Sequence, residues 1–346
     1  MVSPEVLPDG RVTFRISAPD AKQVRLHCEG IKETDLQKDE KGVWSFTSQT
    51  LEPDFYGYTF QVDGCRVIDP SNPSFKYNLL NTESQVHVPG PASLPWELND
   101  VPHGQLHRHF YHSKAAEDDR EFFVYTPPGY DAKGSKRYPV LYLLHGYSDD
   151  ASGWTAVGRA NVIMDNLIAR KQAKPMIVVM PLGYGTMEIV RAGWGRVRSP
   201  DLWEQNQTRF REALLNEVMP QAENAYHILP DANSHALAGL SMGGAESLRV
   251  GLNTLDRFAW IGSFSAGGVG GDFAATFPGL DEKANKRLRL LWIACGREDG
   301  LFGANQSLEK WLQSKGVHHS WTATPGAHAW PVWRRNLATF APLLFQ

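Results

Sequence analysis

The chain has 346 residues and a mass of 38.7 kDa, a length that fits one large domain or two unequal ones. Its 35 basic and 38 acidic residues give a net charge of −3, which excludes the basic surface of a nucleic-acid-binding protein and the polybasic tracts of a membrane-surface protein. Eleven tryptophans exceed what core packing usually requires, and the binding of sugar or aryl groups is one use for the surplus.

The first 90 residues alternate polar and apolar side chains in short runs that Pro, Gly or Asp residues separate. The clearest runs are Arg11–Ser17, Gln23–Cys28, Gly42–Thr47 and Tyr56–Val62. Because short strands at this spacing are typical of two packed sheets, residues 1–90 are predicted to form a small immunoglobulin-like β-sandwich. Four prolines within residues 89–105, without any periodicity, indicate a linker over residues 91–105.

From residue 106 to residue 346 the pattern changes to short apolar strands that alternate with amphipathic helices. The predicted strands are Glu121–Tyr125, Val140–Leu144, Met176–Met180, Ala236–Leu240, Ala259–Phe264 and Leu290–Ala294. The predicted helices include Ala160–Ala169, an apolar stripe from Phe210 to Met219, Ser247–Leu255 and Ser307–Lys315. This alternation predicts an α/β domain with a mainly parallel sheet that helices cover on both faces.

The motif Gly239-Leu-Ser-Met-Gly243 lies directly after a predicted strand and directly before a helix. In that context the glycines permit a tight turn that holds the hydroxyl of Ser241 above the edge of the sheet. The positive end of the following helix points toward the same place. We therefore predict that Ser241 is a nucleophile, rather than the capping residue of an ordinary glycine-rich turn.

A serine nucleophile needs a base and an acid that orients the base, here in the chain order Ser, acid, His. His328 lies in a loop before the last helix and is the predicted base, whereas His318 and His319 begin a strand-like run. Asp299 stands just past a strand end and is the predicted acid. Glu298 is its competitor.

The oxyanion of an acyl-transfer intermediate needs two fixed donors. We predict the backbone N–H groups of Met242, which follows the nucleophile, and of Tyr147, which follows Gly146 in the loop after a strand. His145 precedes that glycine, so it is expected to brace the loop rather than to act as a base.

Residues 183–206 have no clear helical or strand period, and a long loop in a compact domain is usually functional or disordered. Tyr184 and Trp194 in this loop are candidates for stacking on an aryl or sugar ring, although a solvated loop around one buried Trp fits equally well. The arginines of this loop are candidates for meeting a carboxylate; they are Arg191, Arg196 and Arg198. Trp154 and Trp330 flank the predicted catalytic loops and are candidate wall residues or core residues.

A weaker constellation is formed by His107, His109 and His112, of which His107 and His109 would share one strand face. Because no Cys or carboxylate partner lies nearby, these residues are better explained as histidines of an edge strand than as ligands of a metal. No glycine-rich phosphate-binding motif follows a strand, so the sequence does not indicate a nucleotide site. We expect no metal and no cofactor.

Several separated blocks of the second part resemble carbohydrate esterase family 1, the esterase-D-like α/β-hydrolase group that contains feruloyl and acetylxylan esterases. The blocks are residues 143–150, 152–154, 158–163, 179–181, 238–244 and 326–333. The resemblance implies Ser241, Asp299 and His328 as the triad. Residues 42–44, 56–64 and 69–73 resemble an early-set, family-48-like carbohydrate-binding module.

The resemblance implies a serine esterase that removes feruloyl groups from plant cell-wall polysaccharide such as arabinoxylan. The implied partner is a feruloylated or acetylated xylo-oligosaccharide or polysaccharide. Acetylxylan esterase and enterochelin-type siderophore esterase are the alternatives, and a carbohydrate-binding protein with an inactive hydrolase part is a third. No signal peptide is visible, no stretch approaches the ~18 apolar residues of a membrane span, and the three cysteines lack CxxC spacing. We therefore expect neither a nucleic-acid nor a membrane partner. A secreted or periplasmic location is expected if a leader was removed, and a cytoplasmic one otherwise.

Overall fold

The computed structural model describes residues 1–196 and 199–346, and it begins with two antiparallel sheets packed face to face. The first sheet has the order β1-β2-β6-β5, and the second has the order β4-β3-β7-β10-β9, with β8 paired to β7. The strands are β1 Glu5–Val6, β2 Val12–Ser17, β3 Val24–Cys28, β4 Ile31–Asp35, β5 Gln37–Lys38, β6 Val43–Thr47, β7 Asp54–Val62, β8 Cys65–Val67, β9 Phe75–Lys76 and β10 Glu83–Val88.

Side chains alternate across these strands, so every second residue enters the core between the sheets. Phe14 from one sheet meets Tyr58 from the other edge to face, with ring centroids 4.8 Å apart, and Leu26 and Phe60 are fully buried beside them. The sandwich predicted from the alternation is therefore present.

The predicted linker has neither helix nor strand before Gln105, yet it is packed against the second part of the chain. Trp96 and Glu97 are buried. The side-chain amide of Asn166 donates to the backbone carbonyls of Pro95 and Glu97, each at 2.7 Å. This segment is a fixed connection, because its backbone carbonyls are bound by the domain that follows it.

The second part contains an eight-stranded sheet with the order β11-β12-β14-β13-β15-β16-β17-β18. Its strands are β11 Gln105–Ser113, β12 Asp118–Thr126, β13 Val140–Leu144, β14 Ile177–Pro181, β15 His235–Leu240, β16 Trp260–Phe264, β17 Leu290–Gly296 and β18 Ser320–Thr324. β11 and β12 are antiparallel, and the six strands from β13 to β18 run parallel. The parallel strands thus place their carboxyl ends at one edge, where the predicted site residues follow them.

Helices cover both faces of this sheet, and buried side chains of β13 and β14 contribute to a core on each face. The helices are α1 Ala160–Ala169, α2 Glu188–Arg191, α3 Gly193–Arg196, α4 Pro200–Ala213, α5 Met219–Ala225, α6 Ser241–Asn253, α7 Phe273–Thr276, α8 Phe302–Ser314 and α9 Trp330–Phe340. The interpretation of residues 183–206 as one long loop is wrong, since α2, α3 and the start of α4 lie there. α2 and α3 have four residues each and are therefore too short to show a helical period.

The two parts share a buried ion pair. Arg334 on α9 is fully buried and donates through Nε to Asp54 Oδ1 on β7 at 2.7 Å. Its other nitrogens bond the backbone carbonyls of Val157 and Phe55. Because Phe55 also joins the larger core cluster of the second part, the sandwich and the α/β part meet in a buried, hydrogen-bonded interface.

Candidate active site

Ser241 stands at the sharp turn from β15 into α6, with a backbone φ of +51°. That left-handed conformation costs a non-glycine residue ~1–2 kcal/mol, so the surrounding packing must hold it. A Cβ at Gly239 would lie 2.5 Å from the carbonyl oxygen of Gly243, and a Cβ at Gly243 would lie 2.4 Å from that of His145. The two glycines of the motif are therefore what lets the chain turn here.

Three predicted residues from three strand ends form one hydrogen-bonded chain. His328 Nε2 lies 3.0 Å from Ser241 Oγ, and its Nδ1 lies 2.8 Å from Asp299 Oδ2. With Nδ1–H donating to the carboxylate, Nε2 is left as the acceptor for the serine hydroxyl. The arrangement is that of a nucleophile, a base and an orienting acid.

The side chain of Asp299 is fully buried, and burial alone would raise its pKa. Hydrogen bonds from His328 and from the N–H of Leu301, together with the charge of His328, outweigh this effect. The pKa of Asp299 is therefore held below its usual value. Glu298 turns away from the imidazole, and its Oε2 accepts the N–H of Gly326 at 2.5 Å, in the loop that carries His328. The structure therefore brings Asp299, and not Glu298, to the imidazole. His319, one of the two histidines set aside as a base, bonds the carbonyl of Val317 through Nδ1.

The two predicted oxyanion donors both border the cleft at Ser241. Among the described residues, neither the N–H of Tyr147 nor that of Met242 has a protein acceptor. A Cβ at Gly146 would lie 2.5 Å from Leu240 Cδ1 and 3.2 Å from Ser241 Cβ, so this loop closes tightly onto the turn. Both amides are thus free to meet an oxygen held beside Ser241.

His145 braces this loop from the buried side. Its Nδ1 bonds the carbonyl of Gly146 at 2.8 Å, and its Nε2 accepts the N–H of Gly183 at 2.8 Å. Burial lowers the pKa of His145 to about 4, so the ring is neutral at ordinary pH and can hold both bonds. Since the Gly146 carbonyl and the Tyr147 N–H belong to one peptide unit, His145 also fixes the direction of that N–H.

Two clefts of different character meet at Ser241. The first, about 440 Å³, is mainly apolar and is walled by rings and aliphatic chains: Tyr147, Trp194, Trp203, Met242 and Leu301. The second, about 220 Å³, contains charged and amide side chains, and the sandwich supplies five of its lining residues: Glu29, Lys76, Asn78, Asn81 and Glu83. A bound ester would therefore meet an apolar, aromatic cleft on one side of the nucleophile. On the other side it would meet a cleft that combines the polar side chains of the sandwich with the rings of Tyr147, Trp194, Trp330 and Trp333.

Comparisons with known proteins show the family of the chain. The family model described as "Putative esterase" matches residues 113–344, more than half of the chain. The chain belongs to this esterase family. The α/β-hydrolase fold with an all-β N-terminal region, expected from the sequence, is confirmed.

Three relatives of the esterase are informative. An endo-1,4-beta-xylanase/feruloyl esterase of Xylanibacter ruminicola is 31% identical over 99% of this chain and 46% of the relative, so the chain spans less than half of that protein. A carbohydrate esterase family 1 ferulic acid esterase of Anaeromyces mucronatus has a TM-score of 0.63 at 26% identity, covering 74% of this chain and 96% of that chain. Enterochelin esterase from Shigella flexneri has a TM-score of 0.72 at 19% identity, over 99% and 95% of the chains, a likeness of fold alone. By class, the esterase is a serine-type carboxylic-ester hydrolase.

Two of the four aromatic residues predicted to bind substrate lie in the core of the esterase. Trp154 is 1% exposed and donates through Nε1 to the carbonyl of Leu144 at 2.8 Å. Tyr184 is fully buried, and its hydroxyl donates to the carbonyl of Asp149 at 2.9 Å. Both rings turn inward because their polar atoms find backbone acceptors beneath the site, so their prediction as substrate contacts is wrong.

The other two predicted aromatic residues do border the clefts. Trp194 is 56% exposed and packs edge to face on Tyr147, with centroids 4.7 Å apart. Trp330 is almost wholly buried but edges the polar cleft. Arg191 is paired with Glu188 at 2.7 Å on the exposed surface, away from both clefts. The predictions for Arg198 and for the side chain of Arg196 lie outside the described residues.

The esterase also has site residues that the sequence did not single out. Trp203 on α4 and Leu301 after β17 complete the apolar cleft, and a Cβ at Gly268 would lie 2.3 Å from the Trp203 ring. The pair Gly267-Gly268 was the available signal, because consecutive glycines after a strand mark a close approach to another group. Nothing in the local sequence pointed to the sandwich residues of the polar cleft.

The three histidines of β11 each have a separate partner. His107 lies 3.3 Å from Thr126 Oγ1, His109 lies 2.6 Å from the Tyr226 hydroxyl, and His112 pairs with Asp119 at 2.9 Å. Within residues 1–196 and 199–346, no cluster of three or more His, Cys, Asp or Glu side chains is arranged to hold a metal ion. No helix in that same part of the chain has the length and apolar character to cross a membrane.

Proposed function

We propose that the esterase hydrolyses feruloyl, or more broadly hydroxycinnamoyl, esters carried by plant cell-wall polysaccharide such as arabinoxylan. The observation that carries the proposal is the apolar cleft of about 440 Å³ that opens on Ser241 between Trp194, Trp203 and Leu301. Flat aromatic walls suit a flat aryl acyl group, because offset or edge-on ring contacts add to the burial of apolar area. The feruloyl esterase names of two relatives support the same substrate class.

In the proposed reaction, His328 Nε2 accepts the proton of Ser241 Oγ as that oxygen attacks the ester carbonyl carbon. The carbonyl oxygen becomes an oxyanion, to which the N–H groups of Met242 and Tyr147 donate. Collapse breaks the bond to the alcohol oxygen, which leaves with the proton from His328. Water then repeats the sequence on the acyl-enzyme, releasing the acid and restoring the serine.

Asp299 has two roles in this scheme. Its carboxylate holds the imidazole with the proton on Nδ1, so Nε2 faces Ser241 as an acceptor. It also stabilises the imidazolium that exists while the proton is on Nε2. Its depressed pKa means that it is charged whenever the base is needed.

The alternatives differ in how they would fill the two clefts. An acetyl group would leave most of the apolar cleft empty, although an acetyl esterase of Caldicellulosiruptor saccharolyticus is 23% identical over 59% of this chain. An anionic iron(III) catecholate ester would meet the carboxylates of Glu29 and Glu83 around a single ammonium, that of Lys76. A neutral sugar alcohol fits that polar cleft better, because hydroxyl groups both donate to carboxylates and accept from ammonium.

The test compares kcat/KM on methyl ferulate, acetylated xylan and a linear catecholate siderophore ester. We expect kcat/KM on methyl ferulate to exceed the other two by roughly tenfold or more, since an aryl ring gains contacts that a methyl group lacks. Ser241→Ala should abolish hydrolysis, whereas Ser314→Ala, on the exposed end of α8, should leave it intact. A preference for acetate or for the siderophore would refute the acyl assignment, and full activity in Ser241→Ala would refute the mechanism.

A further inference from the structure

Asn305, near the start of α8, has a fully buried side chain that bonds two separate loops. Its Oδ1 accepts the N–H of Ala266 at 3.1 Å, and its Nδ2 donates to the carbonyl of the same residue at 3.0 Å. Nδ2 also donates to the carbonyl of Leu301 at 2.9 Å. One amide group therefore joins the loop that follows β16 to the loop that follows β17.

The loop after β17 carries the acid of the triad. The N–H of Leu301 donates to Asp299 Oδ1 at 2.8 Å, while His328 Nδ1 lies 2.8 Å from Oδ2. Asn305 binds the carbonyl of this same Leu301. Because the N–H and the carbonyl of Leu301 are separated by one Cα, a shift of that carbonyl away from Asn305 would also move the N–H that orients the carboxylate.

The loop after β16 lies against the nucleophile. The N–H of Gly267 donates to the backbone carbonyl of Ser241 at 2.8 Å. A Cβ at Gly267 would lie 3.2 Å from Ser241 Oγ and 3.5 Å from Leu301 Cδ1. Gly267 directly follows Ala266, whose N–H and carbonyl are both bound by Asn305. The amide of Asn305 thus fixes the loop that contacts Ser241 against the loop that carries the acid.

The loop after β16 also depends on this amide for its conformation. Ser265, at the start of the loop, has a φ of +52°, a left-handed conformation that residues with a side chain rarely adopt. Ala266 is fully buried, so its N–H and carbonyl need protein partners in place of water. Without the amide of Asn305 both groups would lose the bonds that it makes, and we expect the loop to move.

We propose that Asn305 is a positioning residue of the esterase reaction, which sets the spacing between the loop of Asp299 and the loop that contacts Ser241. The inference rests on the triad within the proposed function, and it adds a residue that acts through the backbone of two neighbouring loops. Its effect reaches the reaction chiefly through Asp299, because that carboxylate must stay at hydrogen-bond distance from the imidazole while Nε2 takes the serine proton.

The experiment is a double-mutant cycle in which kcat and KM are measured on p-nitrophenyl acetate and on methyl ferulate. The variants are Asn305→Leu, which removes the three bonds but keeps about the same volume, Asp299→Asn, and the two combined. Asn166→Leu is the matched control, because Asn166 is also a buried helix residue whose amide binds two backbone carbonyls, but in the linker segment. Thermal unfolding establishes that each variant is folded, and Asn305→Ala takes the place of Asn305→Leu if the larger side chain prevents folding.

We expect Asn305→Leu to lower kcat about 30- to 100-fold on both esters, with KM changed less than about threefold, since a displacement of about 1 Å can cost that much in rate. Asn166→Leu should lower the melting temperature but leave kcat within about twofold of the wild type.

In the Asp299→Asn background, Asn305→Leu should lower kcat by less than about threefold more, because the carboxylate that it orients is already absent. An undiminished loss in that background, or a wild-type kcat in Asn305→Leu, would overturn the proposal and leave the esterase function standing. A wild type that hydrolyses p-nitrophenyl acetate but not methyl ferulate would refute the feruloyl assignment alone, because the cycle is then measured on the first ester.

Discussion

The sandwich holds the loop that carries one predicted oxyanion donor. The side-chain amide of Asn78 donates to Ser148 Oγ at 2.9 Å and to Asp149 Oδ1 at 3.1 Å. Next to it, the N–H of Leu79 donates to the carbonyl of Ser148 at 2.8 Å. Ser148 follows Tyr147 directly and has a φ of +73°, so the loop is held in a conformation that it would not favour alone.

We predict that Asn78→Ala lowers kcat much more than it raises KM. Each of the two lost hydrogen bonds stabilises the loop conformation by ~0.5–1.5 kcal/mol. Together they offset the ~1–2 kcal/mol cost of the left-handed backbone at Ser148. A loss of ~1–3 kcal/mol reduces the population of the active loop by roughly five- to 150-fold. Since the Tyr147 amide is expected to act chiefly on the oxyanion, the loss should be seen in kcat.

Steady-state kinetics on methyl ferulate, together with thermal unfolding, measure the effect. Asn78→Asp keeps the side-chain oxygen that accepts the N–H groups of Leu80 and Asn81, but it removes both donors. We therefore expect it to be as impaired as Asn78→Ala. Asn253→Ala is the matched control, since it deletes two side-chain bonds on an exposed helix end far from the loop. A wild-type kcat in Asn78→Ala, or full recovery in Asn78→Asp, would refute the reasoning.

Three further predictions concern single contacts. Asp299→Asn should lower kcat by ~10³–10⁴ with the fold intact. Because the pKa of Asp299 is depressed in the folded state, this residue should add to the unfolding free energy above about pH 4, and that contribution should be lost as the pH falls through the folded-state pKa. Urea titrations of the wild type and the variant at several pH values measure the difference. Arg334→Met should cost about 3–5 kcal/mol of unfolding free energy, and adding Asp54→Asn should recover part of it. Trp194→Ala should reduce kcat/KM on methyl ferulate about tenfold with little effect on stability, whereas Trp154→Ala should destabilise the protein by about 3–5 kcal/mol.

The reacting residues could be predicted because their positions are determined locally. Ser241, Asp299 and His328 each lie in the short connection that follows a parallel strand, and the carboxyl ends of parallel strands meet at one edge. The sequence therefore predicted that these residues lie close together, and the structure joins them in one hydrogen-bonded chain. The strand end did not decide between Asp299 and Glu298, and the family resemblance implied Asp299. In the structure Glu298 accepts the N–H of Gly326 instead.

The walls of the site depend on tertiary packing, which the sequence does not display. A loop tryptophan has the same pattern whether its ring faces the cleft, as Trp194 does, or the core, as Trp154 does. The difference arises from a backbone acceptor, the Leu144 carbonyl, that lies ten residues away. Trp203 was missed for the related reason that α4 reaches the cleft only through its packing on Gly268.

The contribution of the sandwich could not be predicted for a further reason, because it depends on how the sandwich packs against the α/β part of the chain. Arg334 fixes that docking, because its guanidinium satisfies both Asp54 and the Phe55 carbonyl within the interface. Once docked, the sandwich presents Lys76 and Asn78 to one side of Ser241, while the hydrolase part presents Trp203 and Leu301 to the other. An ester has an acyl half and an alcohol half, and the two halves of this site come from different parts of the chain. Substitutions in the apolar cleft should therefore change acyl preference, and substitutions in the sandwich should change alcohol preference, with each largely independent of the other.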